Sequence, residues 1–346
     1  MPPQKQLDSL CISPGLVISS TDNRGSLNTA KQYPLHLVIG FVIACFNATQ
    51  SRVNGELGHL VQNGVVAALC SFTSGWILLI VIAAFVPKVR NSFFQIPNLI
   101  RQGQLKWWQC IGGMAGALYV IGQGKVVPVV GVAIFTIAVV AGQTTSSLLV
   151  DKYGLGPAGP RAVTVLRVVA AVIAIAGVAV SVLGRNHSGT FSVPLVIYAF
   201  GTGLLTAAQY ALNGRVAVAT AQPLATTLLN FTMGTSVLVL AIAGLALSGN
   251  LSYTNPPTPI DSPWIYSGGV IGVVFILSAA ILVRSLGVLI FALVSVVGTL
   301  AGALLLDLIW PTPGSQISGQ IVIGVIITAA AVIVASLSNK ESAVKR

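Results

Sequence analysis

The chain has 346 residues, of which 55% are hydrophobic and only 7% are charged, and its mean hydropathy is +0.89. An average soluble domain carries roughly 25% charged residues, so this composition excludes a water-soluble globular protein and indicates an integral membrane protein. The net charge is +11. However, Lys and Arg occur singly between apolar runs without interleaved aromatic residues, a pattern that argues against nucleic-acid binding.

The N-terminal residues 1–33 are mostly polar and contain one short apolar patch, Gly15 to Ile18. A secretory signal peptide needs a longer apolar core followed by a small-residue cleavage site. We therefore expect residues 1–33 to form a flexible tail.

Ten apolar runs follow the tail, each close to the length of about 20 residues that crosses a bilayer as a helix. They predict an all-α integral membrane protein with ten transmembrane helices. Polar connections separate the runs, including a long one at Lys88–Lys106 and a short break near Asn54–His59. The predicted helices lie near Leu35–Val53, Val61–Val86, Trp107–Gln123, Val127–Val150, Ala162–Leu183, Val193–Leu212, Leu224–Leu247, Trp264–Val283, Val288–Trp310 and Ile317–Leu337.

The distribution of Lys and Arg predicts the orientation of the helices, because cytoplasmic loops retain positive charge. With the N-terminus inside, most of the basic residues fall on the cytoplasmic side, and Lys88–Lys106 is the richest connection. Both termini, including a C-terminal tail at residues 339–346, are therefore expected to be cytoplasmic.

The two halves of the chain are alignable. Ala48–Gly55 aligns with Ala207–Gly214, which places Gln on Gln and Asn on Asn, and Asp151 aligns with Asp307. Each copy contains five predicted helices, an odd number, so the second copy enters the membrane from the opposite side. Inverted repeats place a binding site near the bilayer midplane between the halves. The predicted domains are repeat 1 at residues 34–184 and the inverted repeat 2 at residues 185–338.

Two of the aligned segments resemble a known family. Lys106-Trp107-Trp108 precedes a Gly-rich helix, and a second helix from Gly131 ends in Leu148-Leu149-Val150-Asp151. Both are similar to the YdcZ-like branch of the drug/metabolite transporter superfamily, whose members occur as five-helix proteins and ten-helix fusions. The resemblance covers Pro34 to Ser338 and implies a transporter of the bacterial inner membrane.

The first predicted helix departs from the small multidrug exporters of that superfamily, which carry a glutamate there. Here the helix offers Asn47, Gln50 and Asn54 instead. This difference argues against proton-coupled export of cations.

Amide side chains are the strongest candidates for solute binding. Gln50 and Asn54 are four residues apart and so share a helix face, and their repeat mates Gln209 and Asn213 do the same. Polar groups exposed to lipid are costly, so these amides should point inward. There they either bind a solute or hold helices together by hydrogen bonds, and the sequence leaves both interpretations open.

Other uncharged polar side chains fall inside predicted spans and could extend such a pathway, although for each alone helix packing is the simpler interpretation. They are Tyr119, Gln123, Gln143, Tyr210 and Asn230.

Asp151 and Asp307 end the fourth and ninth predicted helices. An aspartate at a helix C-terminus opposes the helix dipole, so each needs a compensating partner. A gating or coupling ion pair with Arg161 or Arg167 is one interpretation. A solvated interfacial acid retained by common ancestry is the other.

These features predict a secondary transporter, an exporter or facilitator, that moves a small neutral, zwitterionic or amphipathic metabolite or drug by alternating access. The alternative is a membrane binding or regulatory protein that has the same fold but does not transport. The expected partners are the solute and the lipid bilayer, and a homodimer is left open. No catalytic motif, metal-binding cysteine spacing or nucleotide-binding loop occurs, so we expect neither an enzyme nor a cofactor or metal.

Overall fold

The computed structural model describes the backbone of residues 23–157, 159–160, 162–183, 192–286, 288–315 and 317–344. Regular structure in these residues is entirely helical, with two short 3-10 helices at Trp107–Ile111 and Pro263–Tyr266. The α-helices are α1 (Asn23–Val61), α2 (Gly64–Phe85), α3 (Pro87–Arg101), α4 (Gly112–Val130), α5 (Val132–Lys152), α6 (Val165–Leu183), α7 (Val193–Thr220), α8 (Pro223–Leu247), α9 (Gly268–Leu286), α10 (Val288–Ile309) and α11 (Gly319–Val344).

Ten of these helices correspond to the ten predicted spans. In the described residues, 8 helices are long and apolar enough to cross a membrane. Helices α9 and α11 contribute shorter apolar segments, Gly268–Ala279 and Gly319–Ala335. The predicted all-α integral membrane fold is confirmed.

The terminal helices extend beyond the predicted spans. Helix α1 begins at Asn23, so the predicted tail of residues 1–33 is helical in its last part, and residues 1–22 lie outside the described chain. Helix α11 continues to Val344, into the predicted tail at residues 339–346.

The predicted break at Asn54–His59 is wrong, because α1 continues through it to Val61. The chain turns instead at Gln62, whose backbone has a φ of 57°, in the left-handed region. Asn63 then caps α2 by accepting a hydrogen bond from the backbone N–H of Val65 at 2.9 Å. The polar residues of Asn54–His59 make tertiary contacts and do not form a loop.

The connection predicted at Lys88–Lys106 contains the additional helix α3. Its buried residues are Val89 and Ile96, and it packs on α2, α7 and α8. The corresponding segment of the second repeat, residues 250–262, contains no helix. Helix α3 therefore breaks the symmetry between the repeats.

The helices pair across the repeats as inverted copies. Helix α1 packs against α9 and α10, and its counterpart α7 packs against α4 and α5. The turn after α7 repeats the turn after α1, because Ala221 aligns with Gln62 and has a φ of 50°. The first helix of each repeat therefore lies against the opposite repeat, and the two halves enclose the centre of the molecule. The predicted boundary at residues 184–185 lies outside the described chain.

Glycines allow the central helices to cross closely. A Cβ atom at Gly142 of α5 would lie 2.1 Å from the carbonyl oxygen of Phe200, and one at Gly203 of α7 would lie 2.2 Å from that of Val139. Because the helix backbones touch here, larger side chains cannot be accommodated. The buried Phe135 and Ile137 of α5 fill the adjacent core.

Candidate solute-binding site

A cavity of about 140 Å³ lies between the two repeats. Gln50 and Gln209 enter it from α1 and α7, each about 4 Å along its helix from the midpoint of the membrane-spanning part. The lining contains no Asp, Glu, Lys, Arg or His. It consists of Asn47, Gln50, Ser71, Phe72, Gly116, Tyr119, Val120, Thr206, Gln209, Tyr210, Asn230, Phe231, Gly269, Gly272, Phe275 and Ile276.

Each glutamine rests on a glycine of the other repeat. A Cβ atom at Gly272 would lie 3.0 Å from Nε2 of Gln50, and one at Gly116 would lie 2.8 Å from Nε2 of Gln209. The two contacts are related by the repeat symmetry. These glycines therefore create the space that the two amides occupy.

Aromatic rings form another symmetric part of the wall. The ring centroids of Phe72 and Phe231 lie 5.0 Å apart. Each ring covers a glycine of the other repeat, Phe72 on Gly234 and Phe231 on Gly75. The two phenylalanines align in the repeat, which is the sequence signal by which this pair could have been recognised.

Asn54 does not line the central cavity. It is fully buried, and its Nδ2 donates to Oε1 of Gln123 at 2.6 Å. Gln123 in turn donates from Nε2 to Oγ of Ser51 at 2.8 Å. This network joins α1 to α4. The geometry therefore supports the interpretation that Asn54 holds helices together by hydrogen bonds.

The remaining amides differ in their partners. Gln209 donates from Nε2 to Oδ1 of Asn230 at 3.3 Å, so these two cavity residues are paired with each other. In the part of the chain that the structure describes, the Gln50 amide has no hydrogen-bond partner. Asn213 contacts Gly112 and is not part of the cavity wall.

A wider cavity of about 460 Å³ adjoins the first and lies toward the end of α5. Tyr210 contributes to the walls of both cavities, while Gln143 lines only the wider one. The wider cavity is lined by α5, α6, α7, α10 and α11 and by the loop after α5. Its lining comprises Val140, Gln143, Thr144, Ser147, Val150, Asp151, Gly156, Pro157, Gly159, Arg167, Ala207, Tyr210, Ala211, Ala292, Leu293, Val296, Val332 and Ala335.

Asp151 and Arg167 form an ion pair in the wall of the wider cavity. Arg167 is buried and Asp151 is half-buried. Of the two arginines considered from the sequence, Arg167 is the observed partner, and Arg161 lies outside the described residues. The guanidinium group compensates the carboxylate at the C-terminal end of α5.

Asp307 is compensated differently. It is buried and accepts hydrogen bonds from the backbone N–H groups of Val132 at 2.9 Å and Ala133 at 2.8 Å. These groups belong to the first turn of α5, whose partial positive charge favours a carboxylate. The preceding Gly131 has a φ of 87°, and a Cβ atom there would lie 2.8 Å from Oδ2 of Asp307. Asp307 is therefore not a solvated interfacial acid.

The end of the bundle where α5 begins is tightly packed, and we call it the closed end. A Cβ atom at Gly58 of α1 would lie 2.0 Å from the carbonyl oxygen of Gly124 in α4. The loop after α10 covers the adjacent turn, where Gly314 donates its N–H to the carbonyl oxygen of Pro128 at 2.9 Å. The described parts of α7 and α9, which correspond to α1 and α4, make little contact. We call that opposite end the open end.

An arginine holds the equivalent loop at each end. Arg52 donates to the carbonyl oxygens of Trp310 at 2.9 Å and Pro311 at 3.4 Å. Arg215 donates to those of Leu155 and Gly154, both at 2.6 Å. Gly154 and Leu155 align with Trp310 and Pro311 in the repeat.

Arg52 also forms an ion pair with Glu56 at 2.7 Å and stacks 4.5 Å from the ring centre of Trp310. Glu56 falls within the break predicted at Asn54–His59, but in the structure it is part of α1 and half-buried. The spacing of four residues between the two charges was the signal that could have revealed the pair.

Comparisons with known proteins agree with this architecture. The sequence model of a family described as "Putative inner membrane exporter, YdcZ" matches residues 34–180 and 194–334, one region in each repeat. A solved structure described as "Crystal structure of protein" has a TM-score of 0.53 and 17% identity, and the alignment covers 89% of this chain and 98% of that chain. At this identity the match concerns the fold alone. No curated protein matches the sequence.

Proposed function

This chain belongs to the YdcZ family of inner membrane exporters, and we propose that it transports a small neutral, zwitterionic or amphipathic solute through the central cavity by alternating access. One observation carries the proposal. The cavity adjoins a wider cavity at the open end, while hydrogen bonds and close glycine contacts seal the closed end. A site between inverted repeats with access from one end is the arrangement that alternating access requires.

The lining supports this class of solute. Fixed charges would be expected in a site for a polyvalent ion, and this lining has none. The unpaired Gln50 amide can both donate and accept a hydrogen bond, and the paired Phe72 and Phe231 offer apolar contact. We assign the principal polar contact with solute to Gln50, and we assign supporting contacts to Gln209, Asn230 and Tyr119.

The gating roles of Asp151, Asp307 and Arg167 follow from repeat symmetry. In the described state Asp307 is bound to the start of α5, and Asp151 is paired with Arg167. In the opposite state we expect Asp151 to bind the start of α10 at Val288 and Asp307 to leave the start of α5. Asp151 would then alternate between two compensating partners, Arg167 and the start of α10, as the ends open and close.

The positive charge of the connections favours a cytoplasmic position for the open end and for both chain termini. The described conformation is then the inward-facing one. An exporter in this conformation would be ready to accept solute from the cytoplasm.

The test begins with a panel of neutral, zwitterionic and amphipathic compounds, screened for those that raise the unfolding temperature of the purified protein. Each compound found is then followed by counterflow into proteoliposomes. We expect saturable counterflow, reduced at least tenfold by Gln50→Ala. The control Gln102→Ala removes an exposed amide outside both cavities and should leave flux unchanged.

Stabilisation without counterflow would refute transport and support the binding or regulatory alternative. Full counterflow in Gln50→Ala would refute the assigned site while leaving transport intact.

A further inference from the structure

An apolar groove separate from both central cavities opens on the surface between α2, α3 and α8. Its volume is about 420 Å³. One charged residue, Arg90, is part of its lining. The lining residues are Trp76, Ile80, Ala83, Ala84, Arg90, Phe93, Phe94, Leu228 and Thr232.

The neutral polar groups of the groove satisfy one another. Trp76 donates from Nε1 to Oγ1 of Thr232 at 3.0 Å, and Thr232 donates to the carbonyl oxygen of Leu228 at 2.8 Å. Within the described part of the chain, the guanidinium group of Arg90 has neither a hydrogen-bond partner nor an ion-pair partner. The groove therefore presents one uncompensated cation beside an otherwise apolar surface.

The groove runs from the membrane interface into the hydrocarbon region. Helix α3 is short and amphipathic and follows the end of α2 at Phe85, as expected of a helix lying in the interface. Its Phe94 is 70% exposed, which suits contact with lipid. Trp76 lies about 14 Å from Phe85 along α2, at a rise of about 1.5 Å per residue, and is therefore deeper in the membrane. This depth matches an acyl chain whose headgroup remains at Arg90.

We propose that the groove binds one anionic glycerophospholipid. Its phosphate accepts hydrogen bonds from Arg90, and one acyl chain packs against Trp76, Ile80 and Phe93. A guanidinium group binds phosphate through paired hydrogen bonds, and the acyl chain gains van der Waals contact with the apolar wall of the groove. Because the second repeat has no counterpart of α3, the site exists on one face of the membrane only.

Trp76 provides the reporter for the test. The protein is reconstituted into phosphatidylcholine vesicles that also contain one brominated lipid. This lipid is either phosphatidylglycerol or phosphatidylcholine, and in both cases the bromine atoms are at the middle of the acyl chain. The signal of Trp76 is the difference in quenching between the native protein and Trp76→Phe. We expect brominated phosphatidylglycerol to quench it at a mole fraction at least threefold lower than brominated phosphatidylcholine does.

Arg90→Gln should abolish this preference, whereas Lys88→Gln removes an exposed charge of the same helix outside the groove and should preserve it. Quenching of Arg90→Gln by brominated phosphatidylcholine serves as the folding control, because it shows whether the groove is still formed. Arg90→Lys, which keeps the charge, should retain part of the preference.

Equal quenching by the two lipids in the native protein would overturn the proposal. So would an equal loss of preference in Lys88→Gln, since that result would indicate general attraction to an anionic surface. A small amphipathic compound that displaces both lipids alike from Trp76 would identify the groove as a solute site and would also overturn it.

Discussion

Gln50 and Asn54 lie one helical turn apart on α1 and differ in their surroundings. Asn54 is fully buried and donates to Gln123, while Gln50 faces the central cavity without a protein partner in the described residues. In the second repeat Gln209 likewise lines the cavity and Asn213 does not, but Gln209 is paired with Asn230. Position along the helix therefore separates a residue that joins helices from one that can meet a solute.

This contrast predicts different effects of two alanine substitutions on stability. Asn54→Ala removes a buried hydrogen bond and leaves Oε1 of Gln123 unpaired, so we expect a loss of about 1–2 kcal/mol in the free energy of unfolding. Gln50→Ala breaks no hydrogen bond and should change stability by less than about 0.5 kcal/mol. Reversible unfolding in mixed micelles measures both. Equal destabilisation would contradict the distinction between the two residues.

The loops after α5 and α10 are each held by an arginine from the first helix of the opposite repeat. Arg215 of α7 binds the loop after α5, and Arg52 of α1 binds the loop after α10. Each guanidinium group reaches two carbonyl oxygens at once, a geometry that the single ammonium group of lysine reproduces poorly. The two arginines are not repeat mates, so the same function is achieved from positions one helical turn apart.

We expect a crossed pattern of amide hydrogen exchange in two variants. Arg215→Gln should speed exchange severalfold in residues 153–157 and leave residues 310–315 unchanged, and Arg52→Gln should do the reverse. The physical reason is that each loop loses its own carbonyl contacts only. Arg101→Gln, an exposed arginine at the end of α3, is the control. Faster exchange in both loops with either variant would indicate general destabilisation and contradict the assignment.

For the whole molecule, the repeats are alike in sequence and unlike in packing. At the closed end α1 and α4 touch through Gly58 and Gly124, and at the open end the described parts of α7 and α9 are apart. Exchange of these two arrangements would convert one access state into its mirror image. A solute changes their populations only in so far as it binds one state more tightly.

Two symmetric pairs of spin labels test this exchange in a cysteine-free background. One pair, Gln62→Cys with Lys125→Cys, reports on the closed end, and the other, Ala221→Cys with Ile281→Cys, reports on the open end. These four exposed positions are repeat mates. When a transported solute is added, we expect the first distance to lengthen in the same fraction of molecules in which the second shortens. Parallel changes at both ends would refute alternating access between the repeats.

The ten spans, the inverted duplication and the amides of the central cavity were determined by the sequence. Apolar runs of sufficient length must form helices in lipid because unpaired backbone groups are too costly there. An odd number of helices per copy then forces the inversion. The alignment of Gln50 with Gln209 also predicts a central position for both amides.

Other features depended on contacts between residues far apart in the chain. The glycines near Asn54–His59 look like a break in sequence, but in the fold they lie against α4, and the turn occurs at Gln62. The partner of Asp307 is the start of α5, which no local pattern indicates. Helix α3 is stabilised by packing of a few residues such as Val89 and Ile96, too short a pattern to distinguish from a polar loop.

Which end is closed was decided by the tertiary structure alone. Two similar repeats can support either arrangement, so the sequence carries the symmetry and the packing selects one of the two states. The same packing buries Asn54 and leaves Gln50 free in the cavity. The two residues are one helical turn apart on α1, and at that distance the surroundings change from a neighbouring helix to an open space.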